Sequence, residues 1–175
     1  MDTNLTGRTA LITGGGTGIG AAISKGMAAE GAHIVVNYSR SEQEAQETVA
    51  DITQAGGKAI AIRCDVTHSD QVNMMFDRAR DEFGRVDILV NNAGNVFGRQ
   101  STADMPEEVW DQTIAVNLKG VFLCSKAAIP HLPDNMGRII NITSISAFSN
   151  KGGPAYGPAK SAVNALTRNM ANELG

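Results

Sequence analysis

The chain is poor in the features that would narrow its chemistry at once. It has two cysteines in 175 residues, Cys64 and Cys124, set apart from each other and from any histidine pair, so neither a disulfide framework nor a zinc site is supported. His33, His68 and His131 lack ligand spacing and a serine-elbow context, read as surface or core residues, and imply no metal. No window is as long and apolar as a spanning helix, and the start, Met1-Asp2-Thr3-Asn4, has neither a basic region nor an apolar core. The chain is therefore expected in the cytoplasm and off the membrane. A formal charge of −3 provides no field suited to nucleic acid or anionic lipid, so neither is an expected partner. No repeat, charge block or linker divides the sequence. With 42% hydrophobic and 19% charged residues, it reads as one globular domain over residues 1–175, long enough to bury a single core.

What the chain does have is a glycine-rich stretch in a telling place. Thr13 to Gly20 reads Thr-Gly-Gly-Gly-Thr-Gly-Ile-Gly. An uncharged run, Thr9-Ala10-Leu11-Ile12, precedes it as a buried parallel strand would. An amphipathic pattern follows, with Ile19, Ile23, Met27 and Ala28 on one side and Lys25 and Glu30 on the other. A strand turning directly into a helix leaves the first helical N–H groups unpaired at the positive end of the dipole, which is a phosphate site. Gly14, Gly18 and Gly20 let the backbone approach a pyrophosphate where a Cβ would collide. The spacing Gly14-x-x-x-Gly18-x-Gly20 differs from the usual dinucleotide fingerprint and lacks the Gly-Lys-Ser/Thr ending of a triphosphatase loop.

The remaining chain alternates strand and helix. Strands are predicted at His33–Asn37, Lys58–Arg63, Val86–Val90 and Arg138–Thr143. Ser41 to Glu44 has the form of a capping box opening a helix to about Ala55, which Gly56-Gly57 ends. Asp70 to Phe83 forms a helix with Val72, Met75, Phe76 and Ala79 inward, closed by Gly84. Pro106 starts one long helical pattern containing Val109, Trp110, Ile114, Leu118, Val121 and Phe122 and reaching about His131. A last helix begins near Tyr156. Such alternation predicts a doubly wound α/β domain, three layers deep, with a parallel sheet in the order 3-2-1-4-5 and a ligand crevice at the carboxyl ends of strands one and four. Fold alone does not give function.

Tyr156-Gly-Pro-Ala-Lys160 carries the chemistry. Separation by four residues on a helix sets an ammonium beside a phenol. A phenol titrates near 10, so exchanging its proton near neutrality costs about 4 kcal/mol. Two unit charges ~5 Å apart at an effective dielectric of ~20 interact by about 3 kcal/mol, so one lysine supplies much of this. Ser144 directly follows the fifth predicted strand, and Ser146, two positions on, is its rival as a hydroxyl at this end of the sheet.

Four stretches, Thr13 to Gly20, Asn91-Asn-Ala-Gly94, Asn117, and Ser144 with Tyr156-x-x-x-Lys160, resemble in order and approximate spacing the motifs of short-chain dehydrogenases/reductases. The resemblance covers essentially the whole chain and looks closest to 3-oxoacyl-carrier-protein reductases and glucose-dehydrogenase-like members. It implies an NAD(P)-dependent oxidoreductase (Rossmann fold) that interconverts a ketone and a secondary alcohol. The implied roles are a proton-relay Asn117, a carbonyl-orienting Ser144, an acid/base Tyr156, and a Lys160 that binds the nicotinamide ribose while assisting the tyrosine. For the cofactor it implies the loop residues Gly14, Thr17, Gly18, Ile19 and Gly20, with Asp65 and Val66 at the adenine and Asn92, Ala93 and Gly94 along the adenine ribose side. The family position for an acidic ribose ligand holds Tyr38, followed by Ser39 and Arg40, a hydroxyl and a cation suited to a 2′-phosphate, so NADP(H) is favoured and NAD(H) is possible.

Substrate is read in the family through loops matching Phe97 to Met105 and Ala147 to Ala155, which name no compound beyond a small carbonyl or alcohol. A homo-oligomer, dimer or tetramer, is implied through the helices from Pro106 and Tyr156. Alternatives are a cofactor-binding redox sensor and a catalytically inactive structural subunit, against both of which the intact Ser144, Tyr156 and Lys160 argue. The family pattern also continues past Gly175 into further strands, so this stretch is expected to be an incomplete copy, prone to aggregation through a bare fifth strand and nearly inactive alone.

Overall fold

The computed structural model describes residues 3–175. Strands β1 (Thr9–Ile12), β2 (His33–Tyr38), β3 (Lys58–Arg63), β4 (Ile88–Asn91) and β5 (Arg138–Asn141) alternate with helices α1 (Gly18–Ala29), α2 (Glu42–Gln54), α3 (Ser69–Phe83), α4 (Glu107–Ile114), α5 (Gly120–Ala128) and α6 (Gly153–Leu174). All pairings are parallel and the order is β3-β2-β1-β4-β5, as the sequence predicts. Leu11 lies between Val35 and Leu89 in register, and all three are fully buried. That is why β1 reads as an uninterrupted apolar run: both of its faces are covered. One core layer gathers Leu11, Val35, Leu89, Phe76 and Cys124, and the other gathers Ile12, Ile34, Val36 and Ile52. Burial raises the thiols of both cysteines, Cys64 to about 12, so they pack as inert apolar groups.

Several local expectations are corrected. Ile19 points outward and is 65% exposed, because α1 begins only at Gly18 and its first turn stands at the rim of the crevice; Ile23, Met27 and Ala28 do face the core. Ser41 is the N-cap of α2 by position, but its hydroxyl makes no capping bond. The long helix from Pro106 is broken by a π-helical turn, Ala115–Lys119, and ends in a 3₁₀ turn, Ile129–His131. Asn117 explains the break: its Nδ2 donates to Thr113 O at 2.9 Å, engaging a carbonyl of the preceding turn, and the Gly120 N–H donates to Ala115 O, five residues back. The helix α6 starts at Gly153, three residues before Tyr156, with Pro154 in a first turn where a missing N–H costs nothing.

At the sheet edge, β5 carries Ile140, 45% exposed, beside an unpaired backbone row. Ile140→Lys is expected to lower self-association of this chain, read by light scattering, while changing unfolding free energy by no more than about 0.5 kcal/mol. Unchanged aggregation would remove the edge as its source.

Candidate active site

The crevice opens where the crossovers from β1 and β4 leave in opposite directions. Thr13, buried just past β1, stitches its two sides together: its Oγ1 accepts from the N–H groups of Asn92 at 2.9 Å and Ala93 at 3.0 Å and donates to Val90 O at 3.3 Å. Asn92 returns its side-chain amide to Thr13 O at 2.9 Å and Gly14 O at 3.1 Å. Asn37, buried within apolar β2, accepts from Gly14 N at 3.2 Å and donates to Cys64 O at 3.0 Å. The next loop carbonyls are held from two helices, Gly15 O by Ser24 Oγ at 3.0 Å and Gly16 O by Thr48 Oγ1 at 3.2 Å. Four consecutive carbonyls, Thr13 to Gly16, are therefore committed to the protein. Thr17, the N-cap of α1, makes no side-chain cap, so its hydroxyl does not take up the first amides of that helix.

This loop fits a pyrophosphate. Gly14 and Gly18 have φ of +61° and +48°, and a Cβ on Gly20 would lie 2.1 Å from Gly14 O, so no side chain can stand there. A cleft of about 840 Å³ runs from this loop past Ser39, Arg40, Asp65, Val66, Ala93 and Gly94. Most residues assigned to the dinucleotide from sequence thus line one groove. Asn92 does not line it, and its amide braces the glycine loop from behind. Ser41 and Arg63 also line the groove and were missed; Arg63 is the last residue of β3, beside Tyr38 in register. Burial and then Glu42 raise the Tyr38 phenol, which keeps it neutral at this wall. Partial burial works against the charge on Asp65, but its hydrogen bonds from Thr67 prevail and hold the carboxyl below its ordinary value.

The reactive end lies beyond Gly94. A Cβ on Gly94 would come 2.8 Å from Asn117 Oδ1 and 3.3 Å from Lys160 Nζ, so both side chains converge on this point of the groove. Asn117 is fully buried, and its amide is spent on Asn95: Oδ1 accepts from Asn95 N at 3.2 Å and Nδ2 donates to Asn95 O at 2.8 Å. Its side chain thus positions the loop after β4. Lys160 is buried, donates to Ile142 O at 2.9 Å, and sits 5.8 Å from the centre of the Tyr156 ring. Burial lowers its pKa. Ser144 Oγ accepts from Ser146 N at 3.1 Å, which leaves the hydroxyl proton free to be donated. Ser144, Ser146 and Tyr156 line one cavity of about 330 Å³.

A family model described as short chain dehydrogenase matches residues 8–175. The chain belongs to the short-chain dehydrogenase/reductase family. By that membership it is an oxidoreductase of a nicotinamide-dinucleotide-binding family. It is 42% identical over 174 residues to a 3-oxoacyl-[acyl-carrier-protein] reductase of Synechocystis sp., covering 98% of this chain and 70% of that protein. Among solved structures it is similar to a short-chain dehydrogenase from Burkholderia cenocepacia in complex with NADP, at 40% identity and a TM-score of 0.92, covering 99% of this chain and 71% of that one. It is also similar to a 7α-hydroxysteroid dehydrogenase complexed with NADH and 7-oxo glycochenodeoxycholic acid, at 38% identity and a TM-score of 0.91, covering 98% of this chain and 67% of that one. Interconversion of a ketone and an alcohol agrees with these relatives. Among the described residues, no helix is long and apolar enough to cross a membrane.

Lys160 gives a pH signature with a definite sign. Its folded pKa lies below the ordinary 10.5, so as pH rises through the folded value the native chain loses a buried charge that the unfolded chain keeps until about 10.4. The stability of the parent relative to Lys160→Met should therefore climb across that window, measured by urea unfolding at stepped pH. A flat or falling difference would contradict the burial of the charged amine.

Proposed function

We propose that this protein reduces a ketone to a secondary alcohol, reversibly, with NADP(H) preferred over NAD(H). The observation that carries the reading is the convergence of Ser144 and Tyr156 on one cavity, with Lys160 between the Tyr156 ring and the Gly94 end of the dinucleotide groove. The nicotinamide, when bound, supplies or accepts the hydride. Ser144 would donate its free hydroxyl proton to the substrate oxygen and hold it. Tyr156 would transfer its phenolic proton to that oxygen as the C–O bond becomes single, recovering it from solvent, and in oxidation the proton would move the other way. The ammonium of Lys160 favours the resulting phenolate by proximity in a poorly hydrated site. Asn117 would act as a positioning residue through the loop at Asn95. Ser146 serves Ser144 through its backbone N–H, which supports Ser144 as the catalytic hydroxyl.

The identity to a 3-oxoacyl-[acyl-carrier-protein] reductase makes a 3-oxoacyl thioester the first ketone to test. In steady-state assays following NADPH oxidation, Tyr156→Phe is expected to lose at least about 100-fold in kcat, within the range of general acid–base contributions. Equal turnover by this variant, or none by the parent, would sink the enzymatic reading.

The cofactor preference is supported by Ser39, Arg40, Ser41 and Arg63, which line the groove together, and by Tyr38 at the end of β2, where family members that use NAD(H) would need a carboxylate. Replacing either Arg40 or Arg63 with alanine should weaken NADP(H) binding by about 10- to 150-fold, since a charge-assisted hydrogen bond is worth about 1.5–3 kcal/mol, with far less effect on NAD(H). Calorimetry with both cofactors checks this, and tighter NAD(H) binding by the parent would refute it. Assembly is proposed through α4 and α5, where Trp110 and Phe122 remain 39% and 48% exposed. A two-fold contact there would bury both residues in a homodimer.

A further inference from the structure

Beside the reactive groups, the cavity that holds Ser144, Ser146 and Tyr156 is lined by Arg99 and Lys151. Arg99 lies in the loop between β4 and α4, and Lys151 lies in the short 3₁₀ turn Asn150–Gly152 that leads into α6. The two segments are packed closely. A Cβ on Gly152 would come 2.7 Å from Ser146 Cβ, and the Cβ position of Gly153 lies 3.9 Å from the Arg99 Cα. The turn bearing Lys151 is therefore seated against the wall bearing the serines, and the Arg99 loop approaches the end of that turn. Neither Arg99 nor Lys151 forms a salt bridge or hydrogen bond with any described residue, although the chain as a whole is acidic, and the cavity lining contains no carboxylate. Lys25, Arg80 and Arg85, by contrast, are each paired with an aspartate. Two unpaired cations in a small cavity raise the local concentration of anions and hold them by charge-assisted hydrogen bonds, with the guanidinium matching the planar fork of a carboxylate or phosphate.

Resting on the carbonyl-reduction reading above, we propose that Arg99 and Lys151 select substrates that carry, besides the reacting ketone, an anionic group, a carboxylate or a phosphate. The anion anchors the far end of the substrate while Ser144 and Tyr156 engage the carbonyl oxygen. Binding energy gathered away from the reacting carbon holds the ketone at the two hydroxyls. Both cations are exposed, so their hold on the anion weakens with added salt.

The test compares matched ketones: methyl ketones ending in a carboxylate, from levulinate upward, each against its methyl ester, and dihydroxyacetone phosphate against dihydroxyacetone. The quantity read is the ratio of kcat/KM for the anionic compound to that for its neutral counterpart. In the parent the best-fitting pair is expected to give a ratio of about ten or more, expressed mainly in KM and falling as salt is raised. In the double variant Arg99→Gln, Lys151→Gln the ratio should fall to about one, and Arg99→Lys should retain part of it. A purely structural role would lower both members of a pair together and leave the ratio intact. Selectivity for carboxylates alone, for the phosphate alone, or for both identifies the anion. A parent ratio near one, or one that survives in the double variant, overturns the proposal while ketone turnover leaves the reaction standing. If the parent reduces no ketone, the reaction fails instead, and the anion site is decided by ¹H–¹⁵N NMR titration with levulinate and its methyl ester. Shifts at Arg99 and Lys151 confined to the carboxylate uphold the site, and equal or absent shifts overturn it.

Discussion

The site depends on one constraint, the split between β1 and β4. Two parallel strands whose crossovers diverge leave a gap at their carboxyl ends, and an open gap would expose the unpaired amides and carbonyls of both strand ends. Thr13 closes it with one hydroxyl that accepts two backbone N–H groups from the Asn92 side and donates to Val90. Asn92 and Asn37 then fix the glycine loop from either side. With its carbonyls held, the loop keeps a conformation that glycine alone permits at its tightest contact, and the helix start behind it faces the groove unencumbered.

The same economy governs the reactive end. Lys160 is a buried amine whose hydrogen bond goes to a backbone carbonyl, and burial without a carboxylate is what lowers its pKa. A carboxylate partner would have favoured the ammonium and offset that shift. Asn117 breaks a helix to reach the loop above it, a local cost in regular hydrogen bonding that is offset by the bonds fixing Asn95. Tight packing at Gly94 ties these two side chains to the end of the groove, so Lys160 and the groove wall share a fixed frame.

Legibility in the sequence varied with the range of the interaction. Strands flanked by helices follow from patterns within a few residues, and β1, β3 and the buried positions of α3 appear where the pattern puts them. The broken helix could not be read from periodicity, because α4 and α5 continue the same apolar rhythm across the π turn and the cause is a side chain reaching a loop over twenty residues away in sequence. Arg63, at the exposed end of β3, carries no local signal, since its position beside Tyr38 exists only once β2 and β3 pair. The polar Asn37 in an otherwise apolar strand was the one available signal for the bracing residues.

By itself the sequence determined the layered α/β architecture, the strand order, the glycine loop between β1 and α1 and the Tyr156–Lys160 pair, because each depends on hydrophobic period, glycine spacing or one helical turn. Only the tertiary structure decided which side of the loop Asn92 serves, that Ile19 faces outward, that Asn117 spends its amide on Asn95, and that Arg99 and Lys151 share a cavity with Ser144, Ser146 and Tyr156. These are contacts between segments far apart in the chain, fixed by how the sheet and its loops close on one another, and no local pattern encodes them.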